Sequence, residues 1–110
     1  MSTKISAGAA LTGTLQTLYT VPDYKDAEWV LLYITNTSGS NGSVTVNYYD
    51  ASEDATLPIL SGFTVTAKEF FTVGGEFNEF IYMKSGDYIE ASATQSMTML
   101  ISVIENNSNV

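Results

Sequence analysis

The sequence predicts an all-β fold, an antiparallel two-sheet β-sandwich of seven to nine short strands, of which a jelly roll is one form. Val, Ile, Tyr, Phe and Thr dominate the stretches between turns, which is the composition of strands. No window places apolar residues at i, i+3, i+4 and i+7 over three turns, so we expect no substantial helix. The candidate strands are short and separated by turn signals, which favours a sandwich over a parallel sheet.

All 110 residues are expected to form a single domain. A chain of this length buries roughly 65% of the surface that its unfolded form exposes, which is enough for a core without metals or disulfides. We expect residues 1–12 to be an N-terminal arm or a first strand and residues 106–110 to be a frayed tail.

Turn residues divide the chain into elements. Pro22 ends the strand at residues 13–21, because proline cannot donate to a ladder. Asn41 and Gly42 predict a tight hairpin turn between the strands at residues 28–36 and 43–50. The remaining predicted strands lie at residues 56–60, 62–67, 69–77, 79–84, 88–93 and 97–105. Within the first of these, Pro58 indicates an edge strand.

The stretch "EWVLLYITN" departs from the alternation of a strand with one wet face, because six apolar residues follow one another from Trp29 to Ile34. Strict alternation assigns Val30, Leu32 and Ile34 to the sandwich interior. It leaves Trp29, Leu31 and Tyr33 on the opposite face.

This second apolar face needs a cover, because a bare patch invites aggregation. A neighbouring subunit or a larger partner is one candidate cover, and Trp29, Leu31 and Tyr33 are then the predicted assembly interface. The other candidate is the chain's own segment "KISAGAALTG", residues 4–13, folded across the sheet.

The composition excludes several functions. Cysteine, histidine and arginine are absent, which removes thiolate chemistry, the usual proton-transfer group and the bidentate phosphate clamp. The net charge is −8, with four lysines, so neither nucleic acid nor an anionic membrane is an expected partner. The start of the chain has no uninterrupted apolar region, so we interpret it as mature sequence rather than a signal peptide.

Carboxylates offer weak alternatives. A glycosidase pair could come from Glu76, Glu79, Asp87 and Glu90, but turns and solvated strand faces are the favoured explanation of these residues. Calcium could bind the loop with Asp50, Glu53 and Asp54 or the loop with Asp23 and Asp26, although neither has the spacing of a calcium-binding loop. We therefore predict no catalytic residues, no metal and no cofactor.

Aromatic residues allow a second kind of function. Tyr48, Tyr49 and Tyr88 could stack on sugars while neighbouring carboxylates and amides bind the hydroxyls, which would make a glycan-binding face. The favoured alternative is packing in the core or at an interface, because aromatic rings dominate both.

Four segments together resemble a known family. They are "TLYTVP" at residues 17–22, "YITNTSGS" at 33–40, "MKSGDYIEASA" at 83–93 and "LISVIE" at 100–105. Their order and spacing are similar to those of small β-sandwich virion proteins of tailed bacteriophages. The shared motifs are strand and turn signatures rather than active-site signatures.

The resemblance implies a non-enzymatic virion structural protein, assembled in the host bacterial cytoplasm. Such a protein decorates or stabilises the capsid by multivalent contacts with the major capsid protein, or belongs to a tail appendage and contacts tail proteins. The resemblance also implies a homo-oligomer, with a trimer favoured. The insertion "DASEDATLPILSGF" and the high aromatic content fall outside the family pattern, and they leave a receptor-contacting or glycan-binding role at the tail open.

Overall fold

The computed structural model describes residues 2–74 and 81–107. Within these ranges the chain forms nine strands and no helix, so no helix there could cross a membrane. The strands are β1 Ser2–Leu11, β2 Gln16–Thr20, β3 Lys25–Asn36, β4 Gly42–Asp50, β5 Ala55–Val65, β6 Phe70–Gly74, β7 Ile81–Lys84, β8 Tyr88–Ala93 and β9 Met97–Asn107. The predicted all-β class is confirmed.

Two antiparallel sheets pack face to face, as predicted. Sheet A has the order β1-β9-β3-β6, and β7 pairs with β3 beside β6. Sheet B has the order β2-β8-β4-β5. Strands far apart in sequence therefore lie side by side, and the chain passes repeatedly from one sheet to the other.

Alternation along the strands produces the core between the sheets. In β9, Met97, Met99, Ile101 and Val103 are buried, and in β8, Ile89, Ala91 and Ala93 are buried. Both sets match the predicted inward faces. Strand β4 contributes Val44, Val46 and Tyr48 from the opposite sheet, again as the alternation predicts.

A bulge in β3 changes which residues point inward. The pairing with β9 joins Trp29 to Val103 and Leu31 to Ser102, so Val30 is an extra residue without a partner of its own. Trp29 is consequently buried with zero exposure, and its indole N–H donates to the Leu31 carbonyl across the bulge at 2.9 Å. The assignment of Trp29 to the second face is therefore wrong, and so is the assignment of Val30 to the interior.

The N-terminal segment lies at the edge of sheet A and not across its face. Residues 2–11 form β1, which pairs antiparallel with β9 in one unbroken register from Ser2–Asn106 to Leu11–Met97. Ile5 and Ala7 pack against the core from this edge. The alternative in which this segment covers the outer face of the sheet is therefore excluded for the described residues.

The predicted hairpin between β3 and β4 is wrong, because the two strands belong to different sheets. The connection at residues 37–41 crosses between sheets A and B, and each strand buries its apolar face in the same core. Gly42 does not adopt a left-handed conformation. A Cβ atom there would lie 2.7 Å from Gln95 and 2.8 Å from Met97, so Gly42 permits close packing.

Three further strands differ from the prediction in extent. The segments at residues 56–60 and 62–67 belong to one edge strand, β5, which stays continuous by way of bulges near Val46 and a left-handed Gly62. Strand β2 begins at Gln16, later than predicted. Strand β9 continues to Asn107, two residues into the expected tail, where Asn107 accepts a hydrogen bond from Lys25 at 2.8 Å.

The bulge generates a prediction about deletions in β3. Deleting Val30 joins Trp29 to Leu31 in regular pairing and leaves every other side chain on its present face. We expect this variant to remain folded, at a cost of about 1–3 kcal/mol. Deleting Tyr33 instead brings Leu32 next to Ile34 and exchanges the two faces of the strand on one side of the deletion, so cooperative folding should be lost.

Urea unfolding followed by circular dichroism distinguishes the two deletion variants. An unfolded Val30 deletion together with a stably folded Tyr33 deletion would show that the bulge has been assigned to the wrong residue.

Candidate functional site

An apolar surface lies on the outer face of sheet A, and we call it the sheet A patch. Its centre consists of Tyr33, Phe70 and Leu100, which are 36%, 60% and 42% exposed. Tyr33 lies directly opposite Leu100 across the β3–β9 pair, and its ring stacks parallel on Phe70 with centroids 5.3 Å apart. The half-buried members Val30, Leu31 and Ile104 complete the patch.

The bulge shapes a groove beside this centre. The groove has a volume of about 430 Å³ and lies between β1, β3 and β9. Its lining is largely apolar and includes Val30 and Ile104, while Ser6 and Ser102 are linked side chain to side chain at 3.2 Å. Lys4 adds one positive charge at its border.

Two of the three predicted interface residues belong to the patch. Leu31 and Tyr33 point outward as predicted, whereas Trp29 lies in the core. The sequence analysis missed Phe70 and Leu100. Alternation places Leu100 on the correct outer side of β9, but its pairing with Tyr33 depends on which strands are neighbours, a fact that no local pattern contains.

Of the predicted carboxylate candidates, the two that the structure describes, Asp87 and Glu90, do not form a catalytic pair. Asp87 is fully buried and accepts three hydrogen bonds: from the Tyr48 hydroxyl at 2.5 Å, the Ala51 amide at 2.8 Å and the Lys84 amide at 2.8 Å. Glu90 accepts a hydrogen bond from the Asn47 side chain at 2.9 Å on the outer face of sheet B. Glu76 and Glu79 lie outside the described residues.

Carboxylates of both candidate calcium loops likewise have partners within the chain, and in the loop with Asp23 and Asp26 it is Asp26 that accepts a hydrogen bond, from the Tyr82 hydroxyl at 3.0 Å. Asp50 accepts hydrogen bonds from the amide and hydroxyl of Ser52, and this hydroxyl contact lowers the pKa of Asp50. Asp54 accepts one from Tyr49. Among residues 2–74 and 81–107, no group of three carboxylates is placed to hold a metal ion.

The three candidate glycan-binding tyrosines separate into two environments. Tyr48 is only 7% exposed and points into the core, so its assignment to a glycan-binding surface is wrong. Tyr49 and Tyr88 are cross-strand partners on the outer face of sheet B, and their rings stack with centroids 4.5 Å apart. Each ring therefore already has an aromatic neighbour, and a glycan contact by this pair stays a prediction.

The segments that carry the family resemblance contain the polar contacts that join the sheets and fix the turns. Buried Asn36 donates to the carbonyls of Ser40 and Val65, both at 2.9 Å, and accepts from the Ser38 amide at 2.9 Å and hydroxyl at 2.7 Å. Tyr19 of β2 donates to Glu105 of β9 at 2.5 Å and so links sheet B to sheet A. The signature residues therefore have structural roles.

Burial and carboxylate contacts raise the pKa of three tyrosines. For Tyr19 and Tyr48, burial is the main cause and the hydrogen bond to Glu105 or Asp87 adds to it, so each pKa lies far above the ordinary value near 10. For Tyr49, the hydrogen bond to Asp54 is the main cause and raises the pKa to about 12. All three side chains stay neutral over the physiological range of pH.

Comparison with known proteins supports the fold. A solved structure described as "Bacillus endospore appendages form a novel family of disulfide-linked pili" superposes with a TM-score of 0.52 and 15% sequence identity, covering 99% of this chain and 88% of the other. No protein-family model matches the chain, and neither does any curated protein. The similarity therefore shows a common β architecture with a protein of that appendage.

The buried Asp87 network predicts a large loss of stability on mutation. In Asp87→Ala, three donors lose their acceptor, and we expect the free energy of unfolding to fall by at least about 3 kcal/mol. Asp23→Ala, at an exposed loop carboxylate, is the matched control and should change it little. Urea denaturation measures both, and similar losses in the two variants would contradict the structural role of Asp87.

The tyrosine environments predict a loss of stability at alkaline pH. The folded state holds the Tyr19 and Tyr48 protons more tightly than the unfolded state does, because the pKa of each is raised on folding. Their stabilising contribution is therefore complete below about pH 10 and is lost progressively as the pH rises above the unfolded-state pKa. A urea series at successive pH values should show this decline, and Tyr19→Phe with Tyr48→Phe should make it shallower. An equally steep decline in the double variant would refute the assignment.

Proposed function

We propose that this chain is a non-enzymatic structural subunit of a multi-copy surface assembly and that neighbouring copies cover the sheet A patch. The main support for this proposal is the sheet A patch. Tyr33, Phe70 and Leu100 are contiguous and exposed on a sheet face that no described segment of the chain covers. A contiguous apolar surface on a small domain is typical of a protein interaction site.

Electrostatics favours this face over the rest of the surface. With a net charge of −8, two copies repel one another at most orientations. The six members of the patch carry no charge, so burying them requires no desolvation of ions. Each large apolar side chain that becomes fully buried contributes roughly 1.5–3 kcal/mol, and a symmetric assembly repeats this contribution at every contact.

The chemistry of the described residues supports a structural role. The buried carboxylates Asp87 and Glu105 accept hydrogen bonds from neighbouring side chains or backbone amides. The sequence offers neither a histidine base nor a cysteine nucleophile. With these groups absent, an acyl-transfer or thiol-based reaction would lack its usual participants.

The similarity to a protein of spore appendages supports the proposal that copies of this chain assemble with one another. The two proteins differ in how their copies could be linked. Those appendages are described as disulfide-linked pili. The present 110 residues contain no cysteine, so these residues form no disulfide between copies. A reversible association through apolar surface is the corresponding mechanism for this chain.

The finer form of the proposal rests on the four segments that resemble tailed-phage virion proteins. In that form the subunit is a jelly roll, and the sheet orders β1-β9-β3-β6 and β2-β8-β4-β5 support a topology of this kind. It acts in the virion as a trimer that decorates the capsid on the major capsid protein. The alternative is a tail appendage in contact with tail proteins.

The proposal predicts a specific loss of assembly. Leu100→Asp puts a charge at the centre of the patch and should weaken self-association at least about tenfold, since a buried charge adds to the lost apolar burial. Leu57→Asp makes the same change at a comparably exposed leucine, 49% exposed on β5, and should assemble like the wild type. Sedimentation velocity across a concentration series measures both. Unimpaired assembly of Leu100→Asp would remove the patch from the interface.

A further inference from the structure

The edge of sheet A formed by β1 differs from the other strand edges in the described part of the chain. A strand edge presents unpaired backbone groups, and proteins protect such edges with prolines, bulges, charges or short strands. The edge strands here are β1 and the β6–β7 side in sheet A, and β2 and β5 in sheet B.

Three of these edges carry protective features. Strand β5 contains Pro58 and has register shifts against β4. Strand β2 has five residues and a bulge between Thr17 and Tyr19. The remaining side is divided between β6 and β7, which have five and four residues.

Strand β1 has none of these features except a single charge. It is ten residues long, pairs with β9 without any register shift, and contains no proline. Its only charged side chain is Lys4, and the others are small or aliphatic apart from hydroxyls. Such an edge is a ready template for another strand.

The distribution of charge indicates which partner fits this edge. All twelve carboxylates of the chain lie at or after Asp23, so residues 1–22 carry Lys4 and no acidic side chain. Two copies with a net charge of −8 repel one another least where this carboxylate-free segment of one faces that of the other. Of the two edge strands within residues 1–22, β2 is short and bulged, so the β1 edge is the approach that self-repulsion permits best.

We infer that β1 pairs with β1 of a second copy, antiparallel and related by a two-fold axis. Such pairing continues sheet A across two molecules. Inward-facing residues of one copy lie opposite inward-facing residues of the other only when the axis passes between a residue and the same residue of the second copy. The overlap of the two strands is longest when this residue is Ser6 or Ala7. Lys4 then faces Gly8 or Ala10 of the other copy, so no like charges meet.

The inference deepens the proposed function, because it supplies a second contact of different chemistry. Edge pairing is made by backbone hydrogen bonds, whereas the sheet A patch is made of side chains. In the continuous sheet, the patches of both copies face the same way and form one larger apolar surface. The inference rests on the proposed function in one respect only, which is that several copies of the chain come together.

Cysteine cross-linking tests the pairing directly, because the chain contains no cysteine and any disulfide must join two copies. Residues directly opposite one another in an antiparallel pair have Cα atoms about 4.5–5.5 Å apart, within the range for a disulfide. Ser6→Cys should cross-link when the axis passes between residue 6 of the two copies. Ala7→Cys should cross-link when the axis passes between residue 7 of the two copies. Thr64→Cys, exposed on the bulged edge β5, is the control.

We expect one of the two β1 variants to form a disulfide-linked dimer under mild oxidation, at least about tenfold faster than Thr64→Cys, since pre-positioned thiols react at a higher effective concentration. Equal cross-linking in all three variants, or none in the two β1 variants, would overturn the inference.

A charge test separates this inference from the proposed function. Ser6→Lys with Ala10→Lys places like charges opposite one another in both registers, at exposed positions, and should abolish edge pairing. Ser61→Lys with Thr64→Lys adds the same charge to β5 and should not. If the β1 double variant assembles as the wild type does while Leu100→Asp does not, the edge inference fails and the proposed function stands. If Leu100→Asp alone assembles normally, the patch proposal fails and the edge inference stands.

Discussion

The bulge at Val30 is the constraint on which both the core and the sheet A patch depend. Strand β3 is central to sheet A, because it pairs with β9 on one side and with β6 and β7 on the other. One extra residue at its midpoint lets Trp29 and Leu32 both face the core. The same residue widens the outer face, where Val30 and Leu31 lie beside each other next to Tyr33, and Val30 forms one side of a groove. An apolar run that fits no simple strand is thereby divided between two apolar environments.

A second set of interactions keeps the two sheets in register. Buried Asn36 and Asp87 saturate the polar groups of two connections between sheets, and the Tyr19–Glu105 hydrogen bond joins the sheets near their edge. These contacts are costly to disrupt because the groups are buried. The four segments at residues 17–22, 33–40, 83–93 and 100–105 contain these residues. The motif residues hold the two sheets together, whereas the proposed function depends on the exposed sheet A patch.

Local pattern predicted much of the fold and only part of the site. Alternation in β4, β8 and β9 identified the inward faces correctly, because the extra residues of the bulges that border them lie on the partner strands β5, β2 and β3. It failed at Trp29 and Val30, since a bulge changes the phase without leaving a sequence signal of its own. The Asn41-Gly42 pair resembled a hairpin, but its flanking strands entered different sheets because both had to bury a face in one core. Phe70 and Leu100 join Tyr33 only through tertiary pairing, which no single segment encodes.

The central claim is that the sheet A patch is covered by another copy of the chain. The mass of the purified wild-type protein in solution, measured by light scattering across a dilution series, tests it most directly. We expect a multiple of the 11.9 kDa chain mass at high concentration that falls towards one chain on dilution. A constant mass of one chain up to about millimolar concentration, where even an interaction of about −4 kcal/mol is visible, would contradict it.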